Sequence, residues 1–429
     1  MVATFKLGIW LVGLLIAILT AWRHTYWWQV KEYRWDRMWS WIRFNQGWKE
    51  LLGKWEWRQP DYTQRAKRML GTAILLTGVV GGMNAGWISI VFMPVAAAVG
   101  VILGIWWTKS TVNRVTVRDV IEAKKIIEKF NPKVVAITGS FGKSRSKELV
   151  ADILEQKWQV VKTIGTENTL LGIARRLLAD LKPGVEVVVV EMGAYKRGEI
   201  AQICQMVQPD VAWITGIGSQ HIDLFGGMEN LKRAKFEIVE GLKPEGVAVF
   251  NKKAGEEDLI KWARKMNIKS VIYGASGRVG NEKGAIEIAK LMGLSQREIK
   301  VGLEKFKAAN KWPVLKESRN GIIIMDESYN SNQQGFVTAV DYLKLNFSGK
   351  KYVVTPGIIE LGNKTKKVHS EIGKKLVGLD GVWVTSDWAR QDLGGRGDIK
   401  EMGKILKTGD VLLVEGRIPT KVKKMIFDL

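Results

Sequence analysis

Cysteine is all but absent. The 429 residues carry one, Cys204, which excludes an internal disulfide framework and any multi-cysteine zinc site, and nothing in the chain requires an oxidising compartment. Internal repeats and low-complexity tracts are also lacking. Charge is missing altogether from residues 69–107, which contain no Asp, Glu, Lys or Arg. Acid is short relative to base, with 43 Asp and Glu against 66 Lys and Arg, a formal net charge of +23. Such a total points first to nucleic acid. No nucleic-acid reading module is present, though, and the distribution of the charge offers lipid and anionic substrate instead, so no nucleic-acid partner is expected.

What is present divides in two. Residues 1–107 hold 13 of the 19 Trp and a charge of +7, leaving +16 for residues 108–429. A membrane-spanning helix needs about 20 mostly apolar residues. Residues 3–22 fit one, with Lys6 reaching the interface, and they lack the strongly basic start and small-residue cleavage site of a signal peptide. The uncharged run from Met69 to Trp107 suits a tight helical hairpin with its turn at Gly81–Gly86. Spans are therefore expected at about 3–22, 67–83 and 87–107. Residues 23–68 carry 11 Lys and Arg, and three spans put them on the same side as the large domain, as the positive-inside rule requires. This predicts a multi-pass membrane protein with its catalytic domains in the cytoplasm and an anionic bilayer as partner. Within the segment 23–66, Trp27, Trp28, Trp35, Trp39, Trp41, Trp48, Trp55 and Trp57 alternate with Arg34, Arg37, Arg43, Lys49, Lys54 and Arg58. An interfacial helix accounts for that composition; a groove for a lipid substrate is the alternative.

The second part opens on a nucleotide site. Residues 134–139 read as a buried strand, Ser140-Phe-Gly-Lys-Ser144 follows, and a helix is expected from Arg145 to about Lys157. In such a loop Gly139, Ser140, Phe141 and Gly142 bring backbone N–H groups to phosphate, Lys143 adds a point charge, and the Ser144 hydroxyl can ligate Mg²⁺. Ile137 stands where the longer consensus has its first Gly. Four further strands, Val185–Val190, Val211–Ile214, Gly246–Phe250 and Ser270–Tyr273, end in polar groups, as in an open parallel sheet whose ligands gather at the carboxyl ends. Glu191 is one of those groups and is an oxygen donor suited to Mg²⁺. His221 is another.

These runs, together with Thr163-Ile-Gly-Thr-Glu-Asn-Thr169, Gly198-Glu-Ile200, Ala234-Lys235, Asp326-Glu-Ser-Tyr-Asn-Ser-Asn332 and Glu360-Leu-Gly362, resemble the Mur ligase family. The likeness is closest to members that add D-alanyl-D-alanine to a UDP-muramyl tripeptide, and it covers about residues 130–420. It implies an ATP-dependent, ADP-forming amide ligase. ATP and Mg²⁺ are its cofactors, a muramyl peptide its carboxylate acceptor, and an amino acid or dipeptide its amine. By the resemblance, Ser144 and Glu191 hold Mg²⁺, and His221 a second Mg²⁺ together with Lys235 if that lysine is carbamylated. Lys143, His221 and Lys235 form the catalytic set. Asn251 meets adenine, Lys311 and Asp326 or Glu327 reach ATP from the last domain, and Thr163, Asn168 and Thr169 contact the acceptor.

The chain departs from the family at Lys311 (usually Arg), Glu327 (usually Asp), Gln333 (usually Pro) and Val414-Glu-Gly-Arg417, which replaces a Lys-Gly-Ser type run. The soluble UDP-binding domain is not matched, and apolar segments stand in its place. The fold expected is α/β. A P-loop parallel-sheet ATPase domain (131–308) is followed by a smaller doubly wound α/β domain (309–429), and both are preceded by transmembrane helices (1–107) and a basic, partly helical linker (108–130). Two alternatives remain: a ligase for another polymer or a lipid-linked acceptor, and a nucleotide-binding membrane scaffold without ligase chemistry.

Overall fold

The computed structural model describes residues 2–44, 47, 51, 59–83, 87–165, 167–219, 222–275, 277–309, 314–328, 331–395 and 397–427. His221, Lys311, the turn residues Asn84–Gly86, the domain joint Asn310–Pro313 and Trp48, Lys49, Lys54, Trp55, Trp57 and Arg58 lie outside the described residues. Two compact units divide at Arg118 and Asp119.

The first unit is helical. Its helices are Val2–Val30, Trp35–Phe44, Gln64–Met83 and the leading part of Ile88–Phe130. The first runs eight residues past the expected boundary, since residues 23–30 hold no Gly or Pro. It stops where Glu32 and Tyr33 take φ of 55° and 56°, a backbone region unusual for side chains of that size. Residues 108–130 form the second half of one 43-residue helix, ended by Asn131 at φ 44° and by Pro132. Val2–Val30 and Ile88–Phe130 are long and apolar enough to cross a membrane. Gln64–Met83, also counted as a span from the sequence, opens on Arg65, Lys67 and Arg68, which shortens its apolar part.

Glycine spacing explains how these helices pack. Gly100 and Gly104 lie one turn apart, and a Cβ on them would come within 2.5 Å of the Ala73 Cα and 2.7 Å of the Met69 Cα. This is close backbone approach through a small-xxx-small face. A Gly104→Leu substitution is expected to force the pair apart at a cost of about 1–3 kcal/mol, read as a lowered unfolding midpoint in detergent. Met69, Ala73, Met93, Ala97 and Val101 form the interior, while Leu11, Leu15, Leu75, Val79, Val91, Phe92, Val95 and Trp106 face outward.

The second unit holds two sheets. In the first, β1 (Lys133–Thr138), β2 (Val160–Lys162), β3 (Val187–Glu191), β4 (Val211–Ile214), β5 (Val247–Asn251) and β6 (Ser270–Tyr273) are ordered β2-β3-β1-β4-β5-β6, all parallel. Apolar side chains alternate along β1: Val134 and Ala136 enter one core cluster, Val135 and Ile137 the other. Both faces are covered, which is why these strands read as near-continuous Val and Ile rather than alternating polar residues. The order reverses at β1, so the loop after it opens at the switch point where ligands bind.

The second sheet comprises β7 (Leu315–Glu317), β8 (Ile323–Glu327), β9 (Lys351–Thr355), β10 (Gly381–Val384) and β11 (Val411–Glu415). Their order is β10-β9-β11-β8-β7, with only β7 antiparallel. A tight contact joins this domain to the six-stranded one: a Cβ on Gly362 would lie 2.5 Å from the Asp223 Oδ1. Cys204 is buried, and burial pushes its thiol up to about 12, with Glu237 adding to the shift. It is expected to resist alkylation in the folded chain and to react only on unfolding, as a timed thiol titration would show.

Candidate functional site

The helix Lys143–Leu154 begins directly after β1, and Gly142 in front of it has φ 77°, a left-handed conformation that glycine adopts without cost. The loop is held from the neighbouring strand end. Ser140 N–H donates to the Gly216 carbonyl (2.8 Å) and its hydroxyl to the Gly218 carbonyl (3.1 Å), while the Thr215 hydroxyl donates to the Phe141 carbonyl. The Phe141 ring lies on Gly216, where a Cβ would approach it to 2.4 Å. The loop is thus set before any phosphate arrives, at the amino terminus of a helix, where backbone N–H groups point at an anion.

Lys143 lies in this loop and donates to the Gly139 carbonyl at 2.9 Å. Burial pulls its ammonium below the usual range, and Glu191 opposes that pull. Glu191 ends β3 at 1 % exposure. Its Oε1 accepts from the Asn168 Nδ2 at 3.0 Å, and its Oε2 is buried without a hydrogen-bond partner. Gly193 beside it is required by the same arrangement, because a Cβ there would meet the Asn168 Oδ1 at 2.7 Å.

Lys235, on the helix Met228–Glu240, is 4 % exposed. Burial above all, and then the Lys143 charge, lower its ammonium to about 7 against the pull of Glu199, Glu237 and Glu191. An ordinary lysine titrates near 10.4, so this one holds a large neutral fraction at neutral pH. Only a neutral amine adds to CO₂. Lowering the pH below 7 protonates the amine and is expected to reduce carbamate formation, while raising it from 6 to 8 increases it. Mass analysis after chemical trapping of the carbamate would follow that change.

The remaining candidate residues are bound up in bracing the site. The Thr163 hydroxyl accepts from Glu191 N–H at 3.1 Å. Thr169 caps the helix Leu170–Asp180, accepting from Gly172 N–H at 3.3 Å. Asn251 is buried, donates to the Ala275 carbonyl (2.8 Å) and accepts from Lys253 and Ala275 N–H, which pins the loop after β6 against the end of β5. In the second sheet Asp326 pairs with Lys316 at 2.7 Å. Glu327 and Glu282 draw on the Arg145 guanidinium, which burial shifts downward. Glu415, in the run where the family pattern fails, is buried opposite Glu327 in the β11–β8 register, and burial raises its carboxyl well above the ordinary value.

Some residues of the site went unrecognised in the sequence. Glu237 receives Gly198 N–H at 2.7 Å and Ala201 N–H at 3.1 Å, fixing the helix after the Glu191 loop. His369 is buried and accepts Ile358 N–H on its Nε2 at 2.9 Å; burial lowers it to about 4, so it stays neutral and anchors the segment leading to Glu360-Leu-Gly362. Lys147 is fully buried, with its Nζ 3.8 Å from the Glu191 Oε2, 3.2 Å from the Glu148 Oε1 and 3.2 Å from the Gly165 carbonyl. Its four-residue spacing from Lys143 puts both lysines on one helix face. That spacing was the available signal.

Fold and site together define a P-loop nucleotide-binding α/β protein with a second doubly wound domain. Residues 137–307 match the Mur ligase middle domain, and the chain is similar to Mur ligases beyond that stretch. It is 27 % identical over 285 residues to the UDP-N-acetylmuramoyl-tripeptide–D-alanyl-D-alanine ligase of Bacillus subtilis, covering 58 % of this chain and 62 % of the relative. To the Escherichia coli enzyme of the same name it is 29 % identical over 294 residues, covering 58 % and 64 %. The chain thus spans less than two thirds of these relatives' length. The crystal structure of MurF ligase from Thermotoga maritima in complex with ADP aligns with a TM-score of 0.62 at 25 % identity, covering 73 % of this chain and 83 % of that one. A MurF structure from Acinetobacter baumannii shares the fold, with a TM-score of 0.66 at 22 % identity and coverage of 73 % and 81 %.

Proposed function

We propose that this chain is an ATP-dependent, ADP-forming amide ligase that joins an amino acid or D-alanyl-D-alanine to a carboxylate of a muramyl peptide. The observation that carries the reading is the meeting of Lys143, Glu191 and Lys235 at the carboxyl end of one parallel sheet, in the domain that matches the family. In the reaction a carboxylate oxygen of the acceptor attacks the γ-phosphorus, the bond to the ADP oxygen breaks, and an acyl phosphate forms. The amine nitrogen then attacks the acyl carbon, inorganic phosphate leaves, and the amine's proton passes to solvent or base. The loop amides and Lys143 hold and neutralise the transferring phosphoryl group. Burial around Glu191 and Lys235 keeps water from the acyl phosphate.

The donor chemistry fits Mg²⁺. Among the described residues no three His, Cys, Asp or Glu side chains cluster as a metal site, but Mg²⁺ takes one or two carboxylates and completes its shell with phosphate and water. The orphaned Glu191 Oε2 and the Ser144 hydroxyl would hold it, and the carbamate oxygens of Lys235 with His221 would serve a second ion. When bound, the metal offsets developing phosphoryl charge.

The same proposal places the chain at a membrane. Two helices meet the length and composition needed to cross one, and apolar side chains point outward from three helices of the first unit, which water would not favour at that extent. The outward apolar surface favours a second reading, in which the acceptor is carried by a lipid rather than by UDP. Detergent-solubilised chain should release ADP only with acceptor and amine together. Lipid-linked acceptor outperforming the UDP-linked form would select the second reading, and ADP release without amide product from any muramyl peptide would reject both.

A further inference from the structure

We infer that Lys147 is a positioning residue that sets the metal-facing carboxylate of Glu191 and ties it to the acceptor-side loop 163–169. Four contacts form one network around the buried Lys147 and Glu191 side chains: Lys147 Nζ to Glu191 Oε2 at 3.8 Å, Lys147 Nζ to the Gly165 carbonyl at 3.2 Å, Asn168 Nδ2 to Glu191 Oε1 at 3.0 Å, and Glu191 N–H to the Thr163 hydroxyl at 3.1 Å. The loop and the carboxylate therefore share their supports, and neither can shift alone. A charge chain continues outward, since Glu148 pairs with Lys147 at 3.2 Å and with Lys162 at 2.6 Å, and Lys162 with Asp152 at 3.4 Å.

Two effects of Lys147 on a cation at Glu191 oppose each other. Its positive charge repels the cation, but that charge is shared with Glu148 at the shorter distance. It is the cation that faces Oε2, at ion-pair distance (3.8 Å), and among the described residues no hydrogen bond holds that oxygen in its place. Orientation therefore outweighs repulsion, and losing the lysine weakens Mg²⁺-dependent binding.

The inference rests on the proposed reading for the nature of the ligand, yet it can be tested without ligase turnover. ADP affinity of the full chain in detergent is measured by calorimetry in EDTA and again with Mg²⁺. For Lys147→Met the EDTA affinity is expected to stay within two-fold, while the gain from Mg²⁺ falls at least five-fold. Lys147→Arg should recover most of that gain. Where turnover is measurable, the KM for acceptor should rise more than kcat falls. If the Met chain does not fold, Lys147→Gln, which keeps a donor but no charge, takes its place with the same expectation. Equal loss with and without Mg²⁺, or no change in either, overturns the inference. The split between wild type and Lys147→Met, found in a wild-type chain that binds Mg-ADP but makes no amide, would defeat the ligase reading alone.

Discussion

Lys143→Ala is expected to lower ADP release by about a hundred- to a thousand-fold or more, the range seen when one pre-set stabiliser of transition-state charge is removed. The loop itself should survive. It is held by Ser140 and Thr215 contacts and by the Phe141 ring on Gly216, none of which uses the Lys143 side chain. Removing this half-buried ammonium also takes away a repulsion felt by Lys235, so the Lys235 amine should titrate higher in the variant. A chain that stays folded, loses turnover and forms less carbamate at neutral pH would match the account. A folded variant with unchanged turnover would remove the loop from the chemistry.

The second large effect is expected at Lys235. Lys235→Ala should reduce amide formation by about a hundred-fold or more, again on the scale of a lost charge stabiliser, whereas a nucleotide-binding scaffold without ligase chemistry should keep its function. The fold has little reason to object. Lys235 lies over the Phe225 ring at 5.8 Å and is costly to keep charged where it is. The unmodified lysine gains its proton less readily in the folded chain than in the unfolded one. Native stability should therefore rise with pH between about 7 and the ordinary lysine value, and Lys235→Ala or Lys235→Met should flatten that rise. Lys235→Glu, which places an oxygen donor on a shorter stem, should recover part of the turnover lost in Lys235→Ala. Equal turnover in Ala, Glu and wild-type chains would show that no oxygen ligand is needed at this position.

Much of this architecture is legible in the sequence. The strands around the nucleotide site stand out because a sheet covered on both faces leaves unbroken Val and Ile runs, and Glu191, Thr215 and Asn251 follow them directly. The three-residue strands are another matter. Val160–Lys162 and Leu315–Glu317 are too short for any periodicity to register, and their pairing is set by neighbours distant in the chain. Helix ends misled for a related reason. Tyr26-Trp-Trp28 and the charged residues after Lys109 change what a helix faces without breaking its backbone, so changes in composition did not coincide with changes in structure.

Within the site, sequence spacing located the groups that could touch phosphate but not their supports. Asn168 and Thr163 were expected at the acceptor, and both hydrogen-bond to Glu191. Nothing in the local sequence sets Lys147 apart from other helical lysines, and its complete burial is a product of the tertiary fold. Glu415 was visible only as a departure from a pattern. Its burial opposite Glu327 gives that departure a position beside the candidate ATP-contacting end of β8.

The central claim is that the chain couples ATP cleavage to amide formation. The direct measurement is ADP release by purified full-length chain in detergent with Mg²⁺, over a matrix of muramyl-peptide acceptors and amines, with product mass as a second readout. The account predicts release only when acceptor and amine are both present, one ADP for each amide, and a loss of about a hundred-fold or more in Lys143→Ala. ATP hydrolysis indifferent to both substrates, or tight nucleotide binding with no amide from any pair, would contradict it.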